Sequence, residues 1–257
     1  MVSAPVDSLP RTLDEVLVAL DQILDECQRE RTPLGYFPAL YRHVTQTVGE
    51  GIRHGDVFKN GARMEKLDVA FANRYLAAWA EWRQGGDPSR CWRVAFEAWA
   101  TPRMTILQHL LLGMNAHINF DLAIAAAQTC PGAQIHGLQA DFMAINEILA
   151  DLLDDVKEDL AALSPWLGLL DRLGGRSDDA LVNFSMRKAR DMAWSMAVKL
   201  AEEEGAWDLE LATLDLACAG LGRLVARPPG LLLRAGLGLV RLRECREPGT
   251  VIQLLRS

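Results

Sequence analysis

The sequence predicts an all-α protein, a single antiparallel bundle of about eight to ten helices. Two observations carry that prediction. Apolar residues recur at three- and four-residue spacing along nearly the whole chain, while alternating strand-like runs are hard to find. The breaks between the periodic stretches are short and rich in Gly, Pro, Ser and Asp, which favours antiparallel neighbours in one bundle over separate domains. The 257 residues, half of them hydrophobic, suffice for one sizeable core.

The first helix opens at the capping box Thr12-Leu-Asp-Glu15 and runs to about Arg29. A second is expected over Phe37 to Ile52, followed by a loop from His54 to Asp56. A third covers Arg63 to Gln84 and stops at Gly85-Gly86. Asp87-Pro88 supplies an N-cap and a first-turn Pro for a helix through Trp99. After Pro102 a long helix runs from Arg103 to Thr129, ended by Pro131-Gly132. Another spans Gly137 to Leu163, closed by Ser164-Pro165. A short turn over Trp166 to Leu173 precedes a helix capped by Ser177-Asp178-Asp179 and ending near Glu204. Helices over Asp208 to Ala226 and Gly230 to Arg246, separated by Pro228-Pro229, complete the domain, the C-terminal pair (206–247) packing on the rest.

Charge and composition narrow the function. Acidic residues outnumber basic ones 34 to 27, for a net charge of −7, so the chain lacks the basic footprint that phosphate backbones demand. Nucleic acid is not an expected partner. The N-terminus carries no basic region followed by an apolar one, and no uncharged run reaches the ~20 residues of a membrane span. A cytoplasmic protein without membrane contact is expected, and self-association stays open. Five cysteines, Cys27, Cys91, Cys130, Cys218 and Cys245, are widely spaced with no C-x-x-C, and read as reduced thiols. Neither a nucleophile elbow nor a glycine-rich phosphate loop is present.

The informative segment is Leu107 to Ala127, LQHLLLGMNAHINFDLAIAAA. A helix apolar nearly all round belongs at the centre of its domain, yet this one holds His109, Asn115, His117, Asn119 and Asp121. At 100° per residue, His109, Gly113, His117 and Asp121 form one drifting stripe. A carboxylate one turn from an imidazole fixes its tautomer and raises its basicity, as a general base requires. The same pair can help to hold a divalent metal, or can satisfy a structural network inside the bundle. His109 lies about 12 Å from His117 along the axis, so a metal would need ligands from another helix. Gly113 implies that a backbone or a ligand approaches closely.

Other helices offer partners. Asp141 and Asn146 sit among Phe142, Ile145, Ile148 and Leu149, so at least one faces inward. Glu147 with Asp151 is an acidic pair lacking a basic neighbour. The run Asp154-Asp155-Val-Lys-Glu158 superficially matches the aspartate-rich motif of class I terpene synthases, but a solvated helix face explains it better. In MRKARDMAW, Arg190 and Trp194 are one turn apart, so guanidinium can stack on indole. A buried Arg190 would need a carboxylate such as Asp121 or Asp141, or would anchor an anionic substrate group. Trp79, Trp82, Trp92 and Trp99, with Phe71, Tyr75 and Phe96, form an aromatic stretch that reads as core.

The runs VAFANRYLAAW (69–79), QHLLLGMNAHINFDLAIA (108–125), DF-x-x-IN (141–146) and ARDMAW (189–194) together resemble an uncharacterised bacterial family, largely from actinomycetes, with an NAHIN-x-DL signature. The resemblance covers about residues 41–200. It implies a helical fold and signature positions at Asn115, His117, Asn119, Asp121, Asp141, Asn146, Arg190 and Trp194, and no activity.

These residues lead to one expectation of function, an enzyme acting on a largely apolar small molecule in a pocket between bundle helices, of the kind found in specialised metabolism. His117, oriented by Asp121 and with Asp141 near it, is the acid/base; Asn115, Asn119, Asn146, Arg190, Trp194 and His109 bind substrate. Cyclisation, isomerisation or elimination suits such a site. No cofactor is expected, with a divalent metal as the alternative. A non-catalytic ligand- or partner-binding bundle is the other reading.

Overall fold

The computed structural model describes residues 9–55, 57–101, 104–163, 186–203 and 207–256. Among the described residues there are no strands, and ten helices follow one another: α1 Leu13–Glu30, α2 Tyr36–His54, α3 Gly61–Arg83, α4 Arg90–Glu97, α5 Ile106–Thr129, α6 Ile135–Leu163, α7 Met186–Glu202, α8 Trp207–Ala226, α9 Leu231–Arg243 and α10 Pro248–Arg256. The expected all-α bundle is therefore present. The expected turn at 166–173, the cap at 177–179 and Asp56 lie outside the described residues. Glu147, Asp151 and the acidic run 154–158 fall on α6, with side chains outside them.

Helix α5 is the axis of the bundle. It is long and apolar enough to cross a membrane by length and composition, yet 83% of its apolar window is buried by other helices. Its first half packs against α2, α4 and α8, its second half against α3 and α7. Between the halves, His117–Asp121 forms a π turn, with Leu122 N–H donating to the His117 carbonyl. The extra residue in that turn rephases the helix, so the even 100° stripe drawn through residues 109 to 121 does not hold.

Several helix starts differ from expectation because their caps come from distant carboxylates. Thr12 does cap α1, accepting from Glu15 N at 3.2 Å, but Glu15 reaches Arg11 N at 2.6 Å rather than the cap residue. At α4 the cap is Asp215 of α8, which accepts from Arg90 N and Cys91 N at 2.9 Å each. Asp87 instead pairs with Arg93. Helix α5 starts at a capping box of Thr105 and Gln108, three residues later than expected, and Glu244 accepts from Ile106 N at 3.2 Å. Each carboxylate meets the unpaired amides and positive end of a helix dipole.

Helix α10 was not expected from sequence. It packs on α2 and α1, with fully buried Ile252 seated where Gly35 lacks a side chain; a Cβ there would lie 2.4 Å from Ile252 Cδ1. All five cysteines are free, four buried and Cys245 half-buried.

The approach at Gly113 comes from an aromatic ring. A Cβ at 113 would lie 2.3 Å from Phe37 Cγ, so the Phe37 ring rests directly on the α5 backbone. Gly113→Ala should therefore destabilise the fold by about 1–3 kcal/mol through overpacking, although alanine is the better helix former by ~1 kcal/mol. Urea unfolding checks this, and Phe37→Leu in the same chain should recover part of the loss.

Candidate active site

The π turn places His117 and Asp121 side by side, both 1% exposed. Asp121 accepts three hydrogen bonds: His117 Nδ1 at 3.1 Å, Arg74 Nε of α3 at 3.1 Å and Trp92 Nε1 of α4 at 2.8 Å. The guanidinium supplies the countercharge that a buried carboxylate needs. With Asp121 accepting, His117 carries its proton on Nδ1, and Nε2 keeps its lone pair. Burial lowers the pKa of His117, outweighing the pull of Asp121, so the ring stays neutral.

Aromatic rings enclose that imidazole. Phe71 stacks on it at a centroid distance of 3.5 Å and 7° between planes, and Tyr41 stands edge-on at 4.5 Å. Phe37 and Trp92 complete the surround at 5.7 and 5.9 Å. His117 Nε2 has no hydrogen-bond partner among the described residues.

His117 lines a cavity of about 80 Å³ bounded by α2, α3, α5, α6 and α7. Its wall is mostly apolar, with Leu40, Met64, Phe71, Met114, Ile118 and Met186 among the contributors. Three further polar groups line it: Tyr41, Asp68 and Arg190. Among the described residues Asp68 Oδ2 is buried without a hydrogen-bond partner, and the Tyr41 hydroxyl lies close to Thr45. Burial raises the Asp68 carboxyl to about 7 against the pull of Arg190, and burial likewise raises the Tyr41 hydroxyl well above its ordinary value.

Arg190 reaches this cavity from α7. Its Nε donates to Asn146 Oδ1 and its Nη2 to the Phe142 carbonyl, each at 2.6 Å, and the guanidinium lies 4.5 Å from the Phe142 ring. The expected partners Asp121 and Asp141 are taken by Arg74 and Arg63, and the expected stacking on Trp194 is replaced by Phe142, against which Trp194 packs at 5.0 Å.

The remaining candidates do other work. Asp141 accepts from Lys59 N at 2.7 Å, Asn60 N at 3.2 Å and Arg63 Nη2 at 2.8 Å, holding the start of α3. Burial pushes its pKa up, but Arg63 and the two amides outweigh that and leave it lowered. It does not line the cavity and is no acid/base. Asn115 donates to the Cys218 carbonyl at 2.9 Å and accepts from Asn119 Nδ2 at 3.0 Å, so both face α8 rather than substrate. His109 lines a separate cavity of about 20 Å³ with Gly113 and Trp92, edge-on to Tyr36, its pKa lowered to about 4 by burial and Arg241. Among the described residues, no group of three His, Cys, Asp or Glu side chains is placed to hold a metal ion.

Residues 13–228 match the model of a family of unknown function, DUF5995. The chain belongs to that family. The match is wider than the span the sequence suggested, taking in α1 at one end and α8 at the other. No curated protein and no solved structure matches the chain. The DUF5995 region thus contains every residue of the cavity wall, while α9 and α10 lie outside it.

Sequence reasoning missed Asp68, Tyr41 and Arg74. The signal for Asp68 was its place in MEKLDVAF, on the face shared by Met64, Phe71 and Tyr75, where an apolar residue is the rule. In the unfolded chain Asp68 ionises near its ordinary value of 3.8, in the fold near 7. The unfolded state therefore binds fewer protons between those pH values, and stability falls as pH rises through them. Asp68→Asn should remove that slope, gaining up to about 4 kcal/mol over the parent at pH 8 and little at pH 4, read from urea unfolding at both pH values. Asp141→Ala has the opposite signature. Its lowered pKa stabilises the fold above the ordinary carboxylate range and is lost on acidification, so the variant should lose about 2–4 kcal/mol at pH 7 and less below pH 3.

Proposed function

We propose that this chain is an enzyme that moves a proton on a small, largely apolar molecule held in the cavity beside the π turn, an isomerase or lyase in reaction type. One observation carries the reading: a neutral, fully buried imidazole on a cavity wall, whose Nδ1 is fixed by a carboxylate and whose Nε2 has no hydrogen-bond partner among the described residues. A general base needs that arrangement, with tautomer and orientation set in advance and the lone pair left for substrate.

A second titratable group shares the cavity. Asp68, half-protonated near neutrality, is the complementary acid. In an isomerisation His117 Nε2 takes a proton from carbon, the electron pair shifts into the adjacent unsaturated bond, and the Asp68 carboxylic acid delivers a proton at its far end. The substrate keeps its composition, and the two side chains exchange protons with water afterwards. Arg74 and Trp92 hold Asp121 in place and act through it; they are positioning residues. No redox or nucleotide cofactor is called for by such a step. A binding protein without turnover would use the same cavity, but it has no need of a base and an acid with complementary protonation lining it together.

Proton abstraction is measurable before the natural substrate is known. A panel of small unsaturated and enolisable molecules incubated in D2O should show enzyme-dependent deuterium incorporation by NMR into at least one member. His117→Gln should lower that rate by about 10²–10⁴-fold while the protein stays folded. Equal exchange by parent and variant overturns the assignment.

A further inference from the structure

Arg190 is the one cavity group whose charge is fixed over the working pH range. It is 3% exposed, and both of its hydrogen bonds go to neutral acceptors, the Asn146 amide oxygen and the Phe142 carbonyl. Among the described residues no carboxylate lies within ion-pair distance of it, and Nη1 makes no hydrogen bond. A buried guanidinium in that state is unusual, because the charge has been removed from water without a countercharge in contact. Arg63 and Arg74 show the ordinary solution nearby, each pairing with a buried carboxylate.

We infer that the cavity takes a small monocarboxylic acid, its carboxylate on the Arg190 guanidinium and its apolar body along Met64, Phe71, Met114 and Ile118 toward His117 Nε2. This names the substrate class of the catalytic reading above and rests on it for the role of His117. The guanidinium is pinned by Nε and one Nη2 hydrogen, with Phe142 across its face, so the Nη1 edge remains to donate to an anion. The rest of the wall is apolar enough to bury a hydrocarbon body, and three methionines, Met64, Met114 and Met186, let it adjust to length. At about 80 Å³, the space is roughly half of the ~150 Å³ that admits benzene in an engineered cavity. A short-chain acid of a few carbons, smaller than a benzene ring, is the matching size.

Asp68 sets the pH range of binding. Among the described residues, the polar groups that share the cavity with it are Tyr41 of α2, His117 of α5 and Arg190 of α7, with Asn146 and the Phe142 carbonyl of α6 reached through Arg190; Asp191 of α7 also acts on the Arg190 charge. Of the cavity groups Arg190 is the cation, so a bound carboxylate and an ionised Asp68 compete for it. Binding therefore favours protonated Asp68, which can also donate to the ligand.

Calorimetric titration of the full chain with acetate, propanoate and butanoate, each beside its primary amide, tests the inference. At pH 6 at least one carboxylate should bind about tenfold or more tighter than its amide. Arg190→Met should abolish that preference. Arg190→Lys, which keeps the charge, should retain part of it and serves if the Met variant does not fold. Asp68→Asn should bind the carboxylate without the weakening expected of the parent between pH 6 and 8. Equal affinity for acid and amide, an unchanged preference in both Arg190 variants, or no carboxylate binding at about 10 mM overturns it. His117→Gln separates this inference from the catalytic reading. Carboxylate binding retained by that variant, in a protein whose deuterium exchange does not depend on His117, sinks the catalytic role alone; exchange of neutral molecules without any preference for acids sinks the carboxylate site alone.

Discussion

The arrangement of the central helices depends on one buried carboxylate. Asp121 sits in the middle of an apolar helix, and an ionised carboxylate there is tolerated only if its oxygens are met by donors and its charge by a cation. The donors come from three helices: His117 from α5 itself, Arg74 from α3 and Trp92 from α4. Satisfying Asp121 therefore sets the register of α3 and α4 against α5. It also bears on the π turn, since the widened turn is where both His117 and Asp121 reside. Such turns are costly relative to regular helix and persist where side-chain contacts over-determine them.

The bundle uses the same physics at its helix ends. Asp141 holds the start of α3, Asp215 the start of α4 and Glu244 the start of α5, each from an element remote in sequence. A carboxylate at a helix N-terminus satisfies amides that the helix cannot pair and lies in a favourable field. These contacts tie the C-terminal helices to the first half of the chain. They also explain why inward-facing acids in the sequence are poor guides to chemistry, since most of them are engaged in holding helices.

Much of the fold was legible because helical periodicity and Gly/Pro punctuation are local properties. The extents of α1, α2, α3 and α8 follow from them within a residue or two. What could not be read locally was partnership. Asp87 looks like the cap of α4, and only the fold shows that Asp215 does that work. Arg190 appears to require Asp121 or Asp141, yet each had acquired a different arginine through helix packing. Helix α10 was missed because its nine residues start at Pro248, directly after the helix read as running to Arg246, and Ile252 finds its place only on Gly35 of a distant turn. Of the candidate site, His117, Asp121 and Arg190 were visible as polar residues in apolar surroundings. Asp68 satisfied the same criterion but stood alone in its helix, without a motif around it.

Partnership also separates structure from function among the buried polar groups. Asp121, Asp141, Asn115 and Gln108 have their hydrogen bonds filled by protein, so their contribution is realised in the fold and nothing is left for a ligand. Among the described residues His117 Nε2 and Asp68 Oδ2 are unfilled, and they share one cavity. Each unfilled buried group costs about 1–3 kcal/mol, a sizeable fraction of the stability of an ordinary domain. A molecule that fills the cavity recovers part of that cost on binding, which adds to the affinity for whatever carries matching donors and acceptors. The apolar walls set the body of that molecule, and the orphaned groups, with Arg190 beside them, set the positions of its polar atoms.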